Sequence, residues 1–454
     1  MADRFTPIDR GTVHLFPPSV EDYLPEEHLA RFIVDIVDQL DLRSLTGCYG
    51  GRGGSRAWHP AMMVSLLLYG YATGTFSSRK LEQATCDSVP YRYICANQHP
   101  DHDSICAFRK RFLKELEGLF VQVLAIARQM GVLKLGSVSL DGTKIKANAS
   151  KHKALSWQYA NKLEAQLREE VVTLMQLAEE ADNSELPEDL DIPEEIKRRE
   201  DRLAAIARAK AEIQARAEAR YAQEQAEYEA KVAAREQHAK ATGKRPGGRD
   251  PKPPTAGPGD KDQVNLTDEE SRIMPGSGGG FEQSYNAQAS VDIDSGLIVT
   301  GHVTQQSNDK REVEPTLAQL AQQGEALGKP AGLLADTGYF SAGNVNAIAA
   351  AGITPVIAAG RESHNPPLAE RLVAAPDDFE PTGDVVEDMR RNLRTATGKA
   401  LYARRKSTIE PTFGVIKHVQ GFRHFLLRGV EAVGGEWNLV CMAFNLKKLH
   451  VLQA

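Results

Sequence analysis

Two short apolar runs of this 454-residue chain end on an aspartate: "SVSLD" places Asp141 after Val138 and Leu140, and "GLLAD" places Asp336 after Leu333 and Leu334. If both runs are central strands of one sheet, the two carboxylates meet at the carboxyl edge, where open α/β sheets place their sites. Left alone they would repel, because close like charges in a low dielectric raise one pKa strongly. A divalent cation removes the conflict. Oxygen-only donors favour Mg²⁺ or Mn²⁺, and a third carboxylate is needed to hold two ions about 3.5 to 4 Å apart. Glu410 is the candidate, since from Arg390 to Arg428 the chain carries ten Lys or Arg against that single acid.

Helical geometry tests the third segment, "YARRKSTIEPTFGVIKHVQGFRHFLLRG". At about 100° per residue, Lys417 lies two turns from Glu410 and about 20° round, and Lys406 about 40° the other way, whereas Arg405 is about 140° off. A carboxylate flanked by Lys406 and Lys417 suits a metal with the lysines on the phosphates of the same substrate. The plainer reading is a surface ion-pair stripe, worth a few tenths of a kcal/mol per pair. Pro411 predicts that the helix begins near Glu410.

The elements that must position these residues follow from periodicity. "SYNAQASVDIDSGLIVTGHVT" alternates on both sides of Asp294-Ser295-Gly296 and reads as a β-hairpin; "KREVEPTLAQLAQQGEAL" and "AGNVNAIAAAG" read as helices; "PAGLLAD" and "ITPVIAA" read as strands. Joined to "SVSLD", they predict an α/β core with a mixed sheet flanked by helices. Residues 1–130 read as helical, with "HPAMMVSLLLYGYATG", "SSRKLEQATC" and one long helix over "HDSICAFRKRFLKELEGLFVQVLAIARQMG". Basic clusters at their ends suggest a DNA-binding domain, with Arg79, Lys80, Arg109, Lys110 and Arg111 as phosphate contacts, against a solvated basic face as the bland alternative.

Residues 131–153 carry the strand of Asp141. Residues 154–236 predict a helical-hairpin insertion, with Leu163, Leu167, Val171, Leu174 and Leu177 at spacings of three and four, broken by "DNSELPEDLDIPEE". Residues 237–265 are too rich in Pro and Gly to pack and read as a flexible basic linker. Residues 266–454 hold the remainder of the core and C-terminal helices. The net charge of −6 rests largely on the insertion, so it does not argue against a nucleic-acid partner.

Composition, 41% hydrophobic and 26% charged, is that of a globular chain without a membrane span, and the first residues lack the build of a signal peptide, which predicts a cytoplasmic protein. Five scattered cysteines suit a reducing compartment. Cys95, His99, His102 and Cys106 in "CANQHPDHDSIC" have spacings that zinc would accept. They are cramped, with Pro100 between the histidines, and Asp101 or Asp103 serves equally well as a helix cap.

"SLDGTKIKANASKHKALSW", "ESRIM…GFEQSYNAQASVD", "LLADTGYFS" and "IEPTFGVIKHVQGFRHFLLRG…GEWNLVCMAFNLKKL" together resemble bacterial insertion-sequence transposases of the DDE type, over nearly the whole chain. The resemblance implies a ribonuclease-H-like core, with Asp141, Asp336 and Glu410 as the catalytic, metal-binding carboxylates. It implies metal-dependent DNA cleavage and strand transfer through Mg²⁺ or Mn²⁺, two ions in all. The family's Tyr, Arg, Glu, Lys signature fits at Glu410 and Lys417. Tyr402 stands one place early, and Lys406 stands where the arginine would be, so either Lys406 clamps a phosphate or Arg405 reaches round from a non-helical turn. Lys144 and Lys146 become substrate contacts, terminal inverted repeats and target DNA the partners, a homodimer or larger assembly the synaptic form, and the nucleoid the location. Readings of other classes are a catalytically inactive or domesticated DNA-binding protein, and a ribonuclease-H-like nuclease without strand transfer.

Overall fold

The computed structural model describes residues 19–49, 57–180, 192–244, 247–276, 279–360 and 376–453. The chain divides into two compact units, residues 1–145 with 285–454, and residues 146–284.

In the first unit the amino-terminal helices are α1 (Leu29–Asp38), α2 (Arg43–Thr46), α3 (Pro60–Thr73), α4 (Ser78–Asp87), α5 (Val89–Ile94), α6 (His102–Arg111) and α7 (Leu113–Gln129). The single long helix expected over 102–131 is broken at Phe112, whose backbone (φ −110°, ψ 24°) leaves the helix while its ring is buried beside Phe108 and Tyr49.

Next comes β1 (Ser137–Lys146), and the second unit opens with β2 (Ala154–Ser156), α8 (Trp157–Glu180) and α9 (Ile192–Thr242). Lys210 pairs with Glu164 at 2.7 Å and Arg199 with Glu170 at 2.8 Å, so the two helices run antiparallel as the leucine spacing predicts. Leu163, Leu167, Ile206, Ala209 and Ile213 share one core with Leu155 of β2 and Val264 of β3 (Gln263–Asn265). Of the predicted break between the helices, residues 182–191 lie outside those described, and residues 192–195 already belong to α9. The Pro/Gly-rich stretch is not a free linker: Arg235 pairs with Asp250 at 3.2 Å and Arg220 with Asp262 at 2.9 Å, which lays it back along α9. A hairpin of β4 (Arg272–Pro275) with the start of β5 (Phe281–Asp292) ends the unit.

The remaining elements are β6 (Ile298–Thr304), α10 (Val313–Gln322), α11 (Gly324–Leu327), β7 (Gly332–Ala335), α12 (Ala342–Ala350), β8 (Thr354–Ile357), α13 (Val385–Asn392), α14 (Ala396–Gly414) and α15 (Val430–Gln453). In the first unit the strands lie in the order β6, β5, β1, β7, β8. β5 and β6 are antiparallel, joined through Gly296 at φ +70°, whereas β7 pairs in parallel with both β1 and β8. This is the expected mixed sheet. β5 is buried without interruption from Gln283 to Asp292, and α10, α12, α14 and α15 pack on the strands, so alternation gives way to continuous burial.

α3 and α15 are buried nearly all round and pack on one another, with α1 and α7 beside them. The amino-terminal helices and the sheet are therefore one compact unit, where the sequence suggested two domains. α14 passes through Pro411 instead of starting there. Proline removes one backbone donor, and Ser407, whose carbonyl loses it, is exposed with Pro411, so water can satisfy the acceptor. Among the described residues, no helix is long and apolar enough to cross a membrane.

Candidate active site

β1 and β7 share a register of Val138 with Leu333 and Ser139 with Leu334. The same offset carried two residues further sets Asp141 (139 + 2) against Asp336 (334 + 2); Asp336 directly follows the end of β7, whereas β1 does not end on Asp141 as its apolar run suggested but continues to Lys146. Asp141 Oδ1 accepts from Gly142 N at 2.8 Å, and Asp336 caps the following 3-10 turn, accepting from Gly338 N at 2.7 Å. Burial pushes the Asp141 carboxyl up to about 6, with Asp336 and Asp309 adding to the rise and the Gly142 N–H and Arg405 opposing it.

Arg405 donates from Nη1 to Asp141 Oδ2 at 3.1 Å, with a side chain only 8% exposed. It lies 5.9 Å from the centre of the Tyr402 ring. The arginine thus meets the acidic edge from a regular helix, not from a non-helical turn, whereas Lys406 is exposed. Glu410, about 140° from Arg405 on the same helix, is exposed as well. Among the described residues no three His, Cys, Asp or Glu side chains are grouped closely enough to hold an ion. Asp141 and Asp336 come together; Glu410 does not complete a set with them.

Lys417 lies in a π-helical turn, Val415–Val419, which rotates it from the face that a regular helix would give it. Its Nζ donates to the Lys144 carbonyl at 2.9 Å, and burial, with Lys144 nearby, lowers its pKa. Lys144 pairs with Asp309 at 3.6 Å. Lys146 belongs to the second unit, where it bonds Glu282 at 2.8 Å.

Of the amino-terminal cations, Arg79, Lys80, Lys110 and Arg111 are exposed, and Arg111 also covers the Tyr49 and Phe112 rings. Arg109 is corrected: it is 4% exposed and donates to Tyr71 Oη at 3.1 Å and the Phe76 carbonyl at 3.0 Å, which makes it an interior strut. Tyr71 in turn donates to Glu436 of α15 at 2.8 Å. In the proposed zinc stretch, Asp101 caps α6 by accepting from Ser104 N at 2.8 Å, His99 faces Thr85 at 3.1 Å and His102 bonds Glu82 at 2.7 Å. Cys95 is buried, its thiol pushed up to about 12.

Sequence reasoning missed Asp309, Gln288, Asn286 and Tyr339. Asp309 stands in the connection between the hairpin and the next helix, and Asn286 and Gln288 stand at alternate positions of a hairpin strand, where residue type alone carries no sign of a site.

Residues 18–111 match a family model described as Transposase domain (DUF772), and residues 254–446 match one described as Transposase DDE domain. The second span contains Asp336 and Glu410, and β1 with Asp141 lies outside both. No curated protein and no solved structure matches the chain. With one transposase model over the amino-terminal helices and the other reaching into α15, the chain belongs to the insertion-sequence transposases of the DDE type, metal-dependent DNA-cleaving enzymes.

Proposed function

We propose that this transposase binds the terminal inverted repeats of its element, cuts DNA at their ends and joins the freed end to target DNA. Asp141, Asp336 and Glu410 would hold two Mg²⁺ or Mn²⁺ ions. The observation that carries the reading is the pair of aspartates at matching positions of adjacent parallel strands, with Asp141 still raised to about 6 although Arg405 is bonded to it. Burial is the main cause of that rise, with the Asp336 and Asp309 carboxylates adding to it, and the donors at this edge are all oxygen, which fits a hard divalent cation. When bound, such ions supply Lewis-acid activation of the attacking oxygen and stabilise the leaving one.

The chain's own residues do the rest. Arg405 orients Asp141, and Glu410, which stands apart from the two aspartates on the same helix, would complete the set by moving toward them. Lys417, anchored on the Lys144 carbonyl, sits beside the acidic edge, where it holds a phosphate of the strand being cut. Arg79, Lys80, Lys110 and Arg111 contact the DNA backbone. Two ends must be held together, so a homodimer or larger assembly forms on DNA.

The test is cleavage of labelled DNA from the element's flanks with Mg²⁺ or Mn²⁺. Metal-dependent cutting at the repeat end is expected in the wild type, falling to background in Asp141→Ala, Asp336→Ala and Glu410→Ala while DNA binding persists. Strand-transfer products separate a transposase from a simple nuclease. Tight binding without cutting under any metal would overturn the reading.

A further inference from the structure

The polar residues beside Asp141 form one connected line. Asp309, in the connection between β6 and α10, accepts on Oδ1 from Asn286 Nδ2 at 2.6 Å and Gln288 Nε2 at 2.7 Å. Gln288 is fully buried on β5, and its Oε1 accepts from the Tyr339 hydroxyl at 2.5 Å. Tyr339 belongs to the 3-10 turn that Asp336 caps. The line therefore starts in a loop, passes through β5 and ends on the turn of the second aspartate.

In the sheet, β1 lies between β5 and β7, so this line crosses β1 midway along its length. It crosses at Gly142, the residue after Asp141. A Cβ there would stand 2.2 Å from Gln288 Nε2, 2.7 Å from Asp309 Oδ1 and 2.9 Å from Asn286 Oδ1. Only a glycine lets the bonded side chains pass so close to the strand. A second tie runs in parallel: Asn344 Nδ2 donates both to the Lys310 carbonyl at 2.7 Å and to the Tyr339 carbonyl at 2.6 Å. Burial first, then the nearby carboxylates, raises the Tyr339 phenol well above its ordinary value, so it stays a donor at any working pH.

We propose that Asp309 is a positioning residue of the transposase site, fixing through Gln288 and Tyr339 the separation of the strand that carries Asp141 from the turn that carries Asp336. The inference rests on the metal-site reading above, and it assigns Asp309 a role as hydrogen-bond acceptor, not as a direct ligand. Two carboxylates that share an ion must be held to a fraction of an ångström, and groups behind the ligands typically set affinity by about 10- to 100-fold.

The experiment is Mn²⁺ binding to the full-length, metal-free protein, followed by calorimetry and by electron paramagnetic resonance, with circular dichroism melts to confirm folding. Tyr339→Phe, which removes one hydroxyl, and Asp309→Ala are each expected to weaken Mn²⁺ on the order of tenfold. Asp309→Asn keeps an acceptor toward the two amides and is expected to recover most of the affinity. If Asp309→Asn binds as poorly as Asp309→Ala while Tyr339→Phe binds normally, Asp309 is a direct ligand and the clamp is overturned. Unchanged affinity in Asp309→Ala and Tyr339→Phe overturns it too. A wild type that binds no Mn²⁺, with Asp141→Ala indistinguishable from it, would sink the metal-site reading itself and the clamp with it.

Discussion

Asp141 follows the fully buried run Val138–Leu140 of β1, its carboxyl pushed up to about 6 by burial first, with two further carboxylates adding to the rise. An unfolded chain would hold it near 3.8. The folded state therefore binds this proton more tightly, and stability contributed here falls as pH rises from about 4 to about 6. The metal-free wild type is expected to lose up to about 3 kcal/mol relative to Asp141→Asn across that window, with no further divergence above it. Added Mg²⁺ is expected to close the gap near neutral pH by supplying the missing positive charge. Thermal melts of both proteins from pH 4 to 7.5, with and without the ion, measure this. A difference between the two proteins that stays constant with pH would show that Asp141 titrates normally.

At the scale of elements, legibility followed the strength of the local pattern. The apolar runs before Asp141 and Asp336 were readable as strands because short apolar runs bounded by Gly or Pro leave few alternatives, although β1 continues past Asp141 to Lys146, and the β5–β6 hairpin was readable because Asp294-Ser295-Gly296 breaks an alternation. The course of α14 was not readable: a proline inside a helix is decided by whether its side faces water, and the π turn at Lys417 has no signature in residue type. Nor was the clamp, since Asp309 and Gln288 are 21 residues apart and gain meaning only through the strand between them. Arg109 shows the same limit. It sits between Phe108 and Lys110 in a cluster that looks uniformly basic, yet helix packing turns it inward onto Tyr71. Arg109→Ala is therefore expected to cost about 3 to 5 kcal/mol of stability, as removal of one member of a buried charged network does. It should leave the salt dependence of DNA binding in place. Lys110→Ala is expected to do the reverse, lowering the slope of log K against log salt by about one with little change in melting temperature. Denaturant unfolding together with binding at several salt concentrations checks both; equal salt effects from the two variants would return Arg109 to the DNA surface.

For the whole molecule, the division into two units raises the question of which contacts each depends on to fold. Residues 146–284 carry their own apolar core: Leu163 and Leu167 of α8, Ile206, Ala209 and Ile213 of α9, and Leu155 and Val264 of the β2–β3 pair are all buried within the unit. The helices are tied further by Lys210 with Glu164 and Arg199 with Glu170, and the returning chain by Arg220 with Asp262. Surface pairs of this kind add little singly, so the core has to carry the stability. Helices of this composition are marginal alone, and their packing against each other decides whether they form. A fragment of residues 146–284 is accordingly expected to be helical and to melt in one cooperative step. Leu163→Ala in the same fragment should lower its stability by about 2 to 5 kcal/mol. Circular dichroism of the fragment and of the variant gives the answer. A broad, non-cooperative loss of helix that Leu163→Ala does not change would mean that this core does not hold the unit together by itself.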